Sequence, residues 1–179
     1  MKQRRLFLIS ALSLAALSVQ AGDWNWSGRE KIKLAGEVAT ESRDVGAFDG
    51  LSLGGDFKVQ VRQGSANKLV IKADKALLPY LESRVVESAK GGRRLEVGTR
   101  RGFSYSGPSP ELSIEMPTLH HLAIAGSGEV VIEAMKTTEL EASIAGSGDV
   151  RFTDLQADSM GLKVSGSGNF LAKGRATNL

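Results

Sequence analysis

Apolar and polar residues alternate along most of the chain, and from Leu122 onward the alternating pattern itself repeats every 20 residues. In register, the units run from Leu122 to Glu141, from Ala142 to Gly161 and from Leu162 to the chain end. One column reads Ile124, Ile144, Val164; a second reads Val130, Val150, Phe170; a third reads Ile132, Phe152, Ala172. Period-two alternation of this kind predicts strands rather than helices. Between the strands of each unit sits an identical tripeptide: Gly126-Ser127-Gly128, Gly146-Ser147-Gly148 and Gly166-Ser167-Gly168. Glycine reaches positive φ at no steric cost, so each tripeptide marks a structural corner.

One such unit cannot bury its apolar face alone. Stacking units at the strand spacing of ~4.8 Å would align the aliphatic columns into a continuous core. The expectation is therefore an all-β chain folded as a parallel β-solenoid, one coil per repeat. A hairpin meander is the alternative, although it would usually need Asn-Gly or similar two-residue turns.

Upstream the pattern is less regular. Phe48, Leu51 and Leu53 precede Gly54-Gly55-Asp56, and Phe57, Val59 and Val61 follow, as in a degenerate earlier copy of the corner and its strands. Leu69 to Ile71, Leu95 with Val97, and Leu112, Ile114 and Met116 suggest further strands. Leu77, Leu78, Leu81 and Val85 fall at helical spacing, which predicts a short flanking helix within Lys75–Val86. Thr99 to Pro110 is rich in Gly, Ser, Pro and Arg and reads as a loop. Residues 22–43 are polar and without period, a flexible lead or a loosely docked first strand. Trp24 and Trp26 alternate within it, fitting either a sugar-gripping pair or side chains docked on their own domain.

The first 21 residues read as a cleavable signal peptide: Lys2, Arg4 and Arg5, then an apolar run to Val19, then Val19-Gln20-Ala21. Arg4-Arg5-Leu6-Phe7-Leu8 resembles a twin-arginine signal, but Gln3 and Ile9 depart from it, and ordinary secretory export is preferred. The apolar run is short for a membrane helix, so no integral membrane segment is expected after cleavage.

Cleavage changes the electrostatics. The signal holds three of the 23 basic residues and none of the 20 acidic ones, leaving 20 of each. The overall pI of 9.3 therefore comes largely from the signal. Lys90, Arg93, Arg94, Arg100 and Arg101 could form a basic patch, but a near-neutral mature chain excludes nucleic acid as the expected partner. With no cysteine, disulfides, a thiolate metal site, a cysteine nucleophile and a lipid-anchored cysteine are all excluded.

Several segments together carry a family resemblance: Arg43 to Gly50 (RDVGAFDG), Ala73 to Leu81 (ADKALLPYL), Pro110 to Leu119 (PELSIEMPTL) and the three corners, each followed by Glu, Asp or Asn and an apolar residue. In these the chain resembles the head GIN domain of auto-transporter adhesins, exported proteins of Gram-negative bacteria, over roughly Arg43 to Leu179. The resemblance implies a right-handed, single-stranded β-helix over 44–179. It also implies further corner-bearing coils beyond Leu179, so that the sequence reads as truncated at that end. It brings no catalytic residues, and the chain holds no C-terminal β-barrel of the kind an auto-transporter uses.

Candidate chemistry is sparse. Glu129, Asp149 and Asn169 each follow a corner and would stack at one edge, where a hydrated cation could settle. They are weak metal candidates: calcium sites want six or more oxygen ligands, and each side chain can instead bond corner amides. Ser127, Ser147 and Ser167 would form a polar ladder. His120 and His121 are neighbours on a strand and should point to opposite faces. Arg151, Asp149 and Asp154 could serve a polysaccharide-cleaving β-helix only by composition. The sequence reading is therefore a non-enzymatic exported module without cofactor, periplasmic or at the cell surface. It would attach to a cell-surface, glycan or envelope-protein ligand. The alternatives are an envelope scaffold pairing through its open edge, including with itself, and a carbohydrate-active β-helix enzyme.

Overall fold

The computed structural model describes residues 29–88 and 91–178. The signal segment, Trp24, Trp26 and Lys90 lie outside them. Thirteen strands run β1 Glu30–Lys31, β2 Val38–Arg43, β3 Gly50–Gly55, β4 Lys58–Gln63, β5 Lys68–Asp74, β6 Leu81–Glu87, β7 Arg93–Thr99, β8 Phe103–Ser104, β9 Glu111–Met116, β10 His121–Gly126, β11 Glu129–Gly146, β12 Asp149–Gly166 and β13 Phe170–Asn178. Strands β1 and β8 form a small parallel sheet, and the rest form one sheet of 11 strands.

The repeats build one side of that sheet. Strands β11 and β12 pair in parallel and in register, Val130 on Val150, Ile132 on Phe152, Ile144 on Val164. Side chains of like position thus line up across many strands. One column runs Ile71, Leu112, Val59, Val130, Val150 and Phe170; another runs Val97, Leu53, Ile124, Ile144 and Val164. Most of these side chains are fully buried, and Phe57 and Phe152 are among the largest within the core. Each buried aliphatic contributes about 1.5–3 kcal/mol of transfer free energy, which is how a chain without cross-links holds its sheet.

The alternation along β11 slips twice, at Glu133-Ala134 and Thr138-Glu139, where two exposed residues follow one another. Pairing with β12 lapses at Glu133 and at Thr138. These slips let a long strand bend around the core while keeping its apolar side chains inside.

The expected parallel β-solenoid, or right-handed β-helix, is nevertheless not the fold. The sheet is mixed and curls into an open half-barrel. Strands β2 and β5, β5 and β9, and β6 and β7 pair antiparallel. The reason is that regular repeats occupy only the second part of the chain. Upstream, the reversal between β6 and β7 closes with the Ser88 N–H on the Gly92 carbonyl at 3.0 Å, sending the chain back beside itself.

The expected flanking helix is also absent. Leu78–Tyr80 is a single 3-10 turn, and β6 follows it directly. Pro79 cannot donate a helical hydrogen bond. Val85 and Val86 favour a strand, and Leu81, Ser83 and Val85 face Thr99, Val97 and Leu95 across the β6–β7 pair.

Polar side chains fasten the irregular half. The Arg43 guanidinium donates to the carbonyls of Leu81 at 2.6 Å and Leu78 at 3.0 Å. Asp74 accepts from the amides of Gly36 at 2.7 Å, Ala76 at 2.9 Å and Ala35 at 3.0 Å, tying the lead to the end of β5.

Candidate functional site

The three Gly-Ser-Gly corners stack directly upon one another. Gly126 pairs with Gly146 and Gly146 with Gly166, and Gly55 lies beneath Gly126. All four have positive φ, 134° at Gly55, 146° at Gly126, 118° at Gly146 and 124° at Gly166. A Cβ at Gly146 would sit 2.5 Å from the Gly126 carbonyl oxygen, and one at Gly166 would collide with the Gly146 carbonyl. Backbone amides fill that space instead: Ser147 N–H donates to Gly126 O and Ser167 N–H to Gly146 O, each at 2.9 Å. Ser127 and Ser147 are exposed between them.

Glu129, Asp149 and Asn169 follow these corners on adjacent layers. Asn169 donates to Asp149 Oδ1 from its backbone N–H at 3.2 Å and from Nδ2 at 2.8 Å. One carboxylate oxygen is thus taken up by the next corner. Among the described residues no group of three His, Cys, Asp or Glu gathers to hold a metal ion.

The two histidines diverge. His120 Nδ1 lies 3.7 Å from Asp49, and His121 Nδ1 lies 3.6 Å from Glu141. Both rings are half-buried. Arg151 is exposed on the outer face of β12, and Asp154 lies beyond the bend, bonded to Gln156. The basic residues are also split. Arg94 pairs with Glu96 at 3.0 Å, while Arg100 pairs with Glu82 at 3.1 Å and lies over the Tyr80 ring.

One cleft combines the functional groups that remain. It measures about 680 Å³ and lies where the segment 99–107 passes over the first corner, Gly54-Gly55-Asp56. Arg29, Arg101, Asp56, Phe103, Tyr105 and Ser106 help to line it. Strand β1 holds the far wall, with Glu30 N–H on Gly102 O at 2.7 Å and Ile32 N–H on Ser104 O at 2.8 Å. Phe103 packs on Tyr80 with centroids 4.6 Å apart. The Tyr105 hydroxyl donates to the Asp56 carbonyl at 3.1 Å, pinning the segment to the corner. Burial, with the Asp56 carboxylate adding to it, pushes the Tyr105 phenol up to about 12. Arg29 and Arg101 are exposed and have no ion-pair partner among the described residues.

The sequence reads this segment as a loop with Arg100 and Arg101 in a candidate basic patch, not as the wall of a cleft. The signal that could have found it is the string Arg100-Arg101-Gly102-Phe103-Ser104-Tyr105-Ser106, which concentrates cations, aromatics and hydroxyls.

A second exposed feature is apolar. Leu162 is 47% and Val164 43% exposed, although Ala142 and Ile144, one layer back in the same columns, are buried. Leu171 on β13 is 50% exposed.

The family described as "Putative auto-transporter adhesin, head GIN domain" matches residues 47–179. The chain belongs to the head GIN domain family. Solved structures share the fold. One from Parabacteroides distasonis, described as a "putative lipid binding protein", superposes with a TM-score of 0.72 at 22% identity, covering 82% of this chain and 63% of that one. A "putative adhesin" from Parabacteroides merdae superposes with a TM-score of 0.69 at 20% identity, covering 79% and 58%. A "putative adhesin" from Bacteroides fragilis gives 0.70 at 17% identity, covering 82% and 71%. This head GIN chain thus spans less than two thirds of the length of the first two. No protein of curated function matches its sequence. These relatives are named for adhesion or lipid binding, none for an enzymatic activity. No helix among the described residues is long and apolar enough to cross a membrane.

Proposed function

We propose that this head GIN protein is an exported, non-enzymatic attachment module that holds a cell-surface, glycan or envelope ligand. The observation that carries this reading is the cleft over Gly54-Gly55-Asp56, which is lined by aromatic rings, hydroxyls and two guanidiniums without an ion-pair partner among the described residues. Its size suits a small-ligand site, typically about 300–1,000 Å³. Neither histidine lines the cleft. The family name supports attachment and export.

The test is binding of labelled protein to an array of glycans, matrix proteins and envelope fractions, beside turnover assays on a polysaccharide panel. Saturable binding to one class without product release is the expected result. Release of sugar products would overturn the non-enzymatic reading.

A second reading, pairing with another envelope protein along the outer strands, is favoured by the exposed Leu162, Val164 and Leu171. Cross-linking from cysteines introduced at Lys163 and Lys173 would trap such a partner. Recovery of uncross-linked protein alone from intact envelopes would remove this reading.

A further inference from the structure

The cleft's chemistry is more specific than attachment in general. Two of its cations are committed differently from the third. Arg100 is spent within the fold, its Nε on Glu82 and its terminal nitrogen on the Pro79 carbonyl at 3.1 Å. Arg29 and Arg101 have no hydrogen-bond or ion-pair partner for their guanidiniums among the described residues. A free guanidinium is a planar fork that meets a carboxylate through two parallel hydrogen bonds.

The Asp56 carboxylate lines the same cleft. A carboxylate only accepts hydrogen bonds, and the hydroxyls of a sugar would offer it donors. Ser104, Ser106 and Thr99 add hydroxyls that both donate and accept. Phe103 and Tyr105 contribute apolar ring surface beside these polar groups. At Gly54 the floor has no side chain, so a ligand ring can approach the backbone there, whereas the space beside Gly55 is taken by the Phe57 ring.

We infer that the cleft over Gly54-Gly55-Asp56 binds a carboxylated sugar, its carboxylate held by Arg101 and Arg29 and its hydroxyls by Asp56 and the neighbouring serines. The inference rests on the attachment reading and narrows it to one ligand class.

The experiment is calorimetric titration of the purified chain with a glucuronate-containing oligosaccharide, the same oligosaccharide with its carboxyl groups reduced, and inorganic phosphate. The expected result is saturable binding of the first, with affinity lower by about tenfold or more for the other two, the loss that follows when a charge-assisted pair is removed. Arg101→Ala should weaken glucuronate binding by a similar factor, and Arg29→Ala should weaken it too. Arg151→Ala, which alters an exposed arginine of β12 outside the cleft lining, should leave it unchanged. Circular dichroism of each variant confirms that the exposed substitutions leave the fold intact.

Equal binding of the carboxyl-reduced sugar would overturn the role of the arginines. Phosphate binding as tight as glucuronate would overturn the sugar and leave only an anion site. No binding of any probe would overturn the inference. If array binding then persists and Arg101→Ala does not affect it, attachment stands and occurs elsewhere. If array binding also fails, both readings fall together.

Discussion

Gln63 lays its side-chain amide against the backbone of Lys136, 73 residues away: Oε1 accepts from the Lys136 N–H at 2.9 Å, and Nε2 donates to the Lys136 carbonyl at 3.0 Å. Strand β4 ends at Gln63, and its pairing with β11 stops at Ile132. The side chain therefore takes the place of a missing strand where β11 bends. Nε2 also donates to the Pro117 carbonyl at 2.7 Å, so Gln63→Ala removes three bonds and is expected to cost about 2–3 kcal/mol at roughly 1 kcal/mol per bond. Urea denaturation of the two proteins measures it. Gln63→Glu keeps the acceptor but loses the donor, and should fall between them. An unchanged midpoint in both variants would show that the bend holds without this bridge.

The stacked corners separate two residues that look interchangeable in sequence. Gly146→Ala forces a side chain into a backbone conformation open essentially to glycine and against the Gly126 carbonyl. The expected cost is about 3 kcal/mol. Ser147→Ala alters an exposed side chain whose backbone bond is kept, and should change stability by less than about 0.5 kcal/mol. Comparable losses at both positions would mean that the serine side chain matters to the corner as much as the glycine backbone does.

Asp74 makes stability depend on acid in a definite direction. The Ala35 amide does most to hold its carboxyl below the ordinary carboxylate range, partial burial opposes it, and the Ala76 and Gly36 amides add to the lowering. A lowered folded value means the unfolded chain binds the proton first as pH falls. The contribution is therefore whole above about pH 4 and disappears as pH drops through the lowered folded value. Asp74→Asn should be less stable than the parent at pH 7, and the gap should narrow towards pH 2. Thermal melts across that range check the sign; a gap that widens in acid would contradict it.

Tyr105 gives the corresponding prediction in alkali. Its phenol is pushed up to about 12, so between the ordinary tyrosine value near 10 and that value the folded chain binds more protons than the unfolded one. Stability should accordingly fall with rising pH across that window. The chain has two tyrosines, and absorbance titration should show a late step that Tyr105→Phe removes. Persistence of the late step in the variant would assign it to Tyr80.

The strands and columns were open to sequence reading because β-structure writes itself at period two and the repeat copies that writing. The pairing of Ile124 on Ile144 or Val130 on Val150 needs nothing beyond local alternation and a constant spacing. The hairpin halves were not. Nothing local tells Leu69 that it will face Ile114 antiparallel, 45 residues on, and the β6–β7 reversal carries its turn signal in Gly91-Gly92, beside a segment that the leucine spacing reads as helix. Leucines at 77, 78 and 81 imitated a helix because 3-10 turn and strand meet there, with Pro79 the overlooked veto. The cleft escaped for a different reason. Arg101 and Tyr105 sit on one segment, but Asp56 and Arg29 join them only through long-range pairing of β1 with β8 and of the Tyr105 hydroxyl with the β3–β4 corner.

The constant register between β11 and β12 has a genetic consequence. Each layer meets only the layers on either side, and every layer offers the next the same glycine corner and the same apolar columns. Duplication or loss of one whole unit would lengthen or shorten the sheet while leaving every surviving neighbour relation as it was. A frame-preserving insertion of a single codon would instead turn the following side chains inside out. Length in this lineage is thus free to evolve by quantised steps of one layer, independently of the cleft at the other end of the stack.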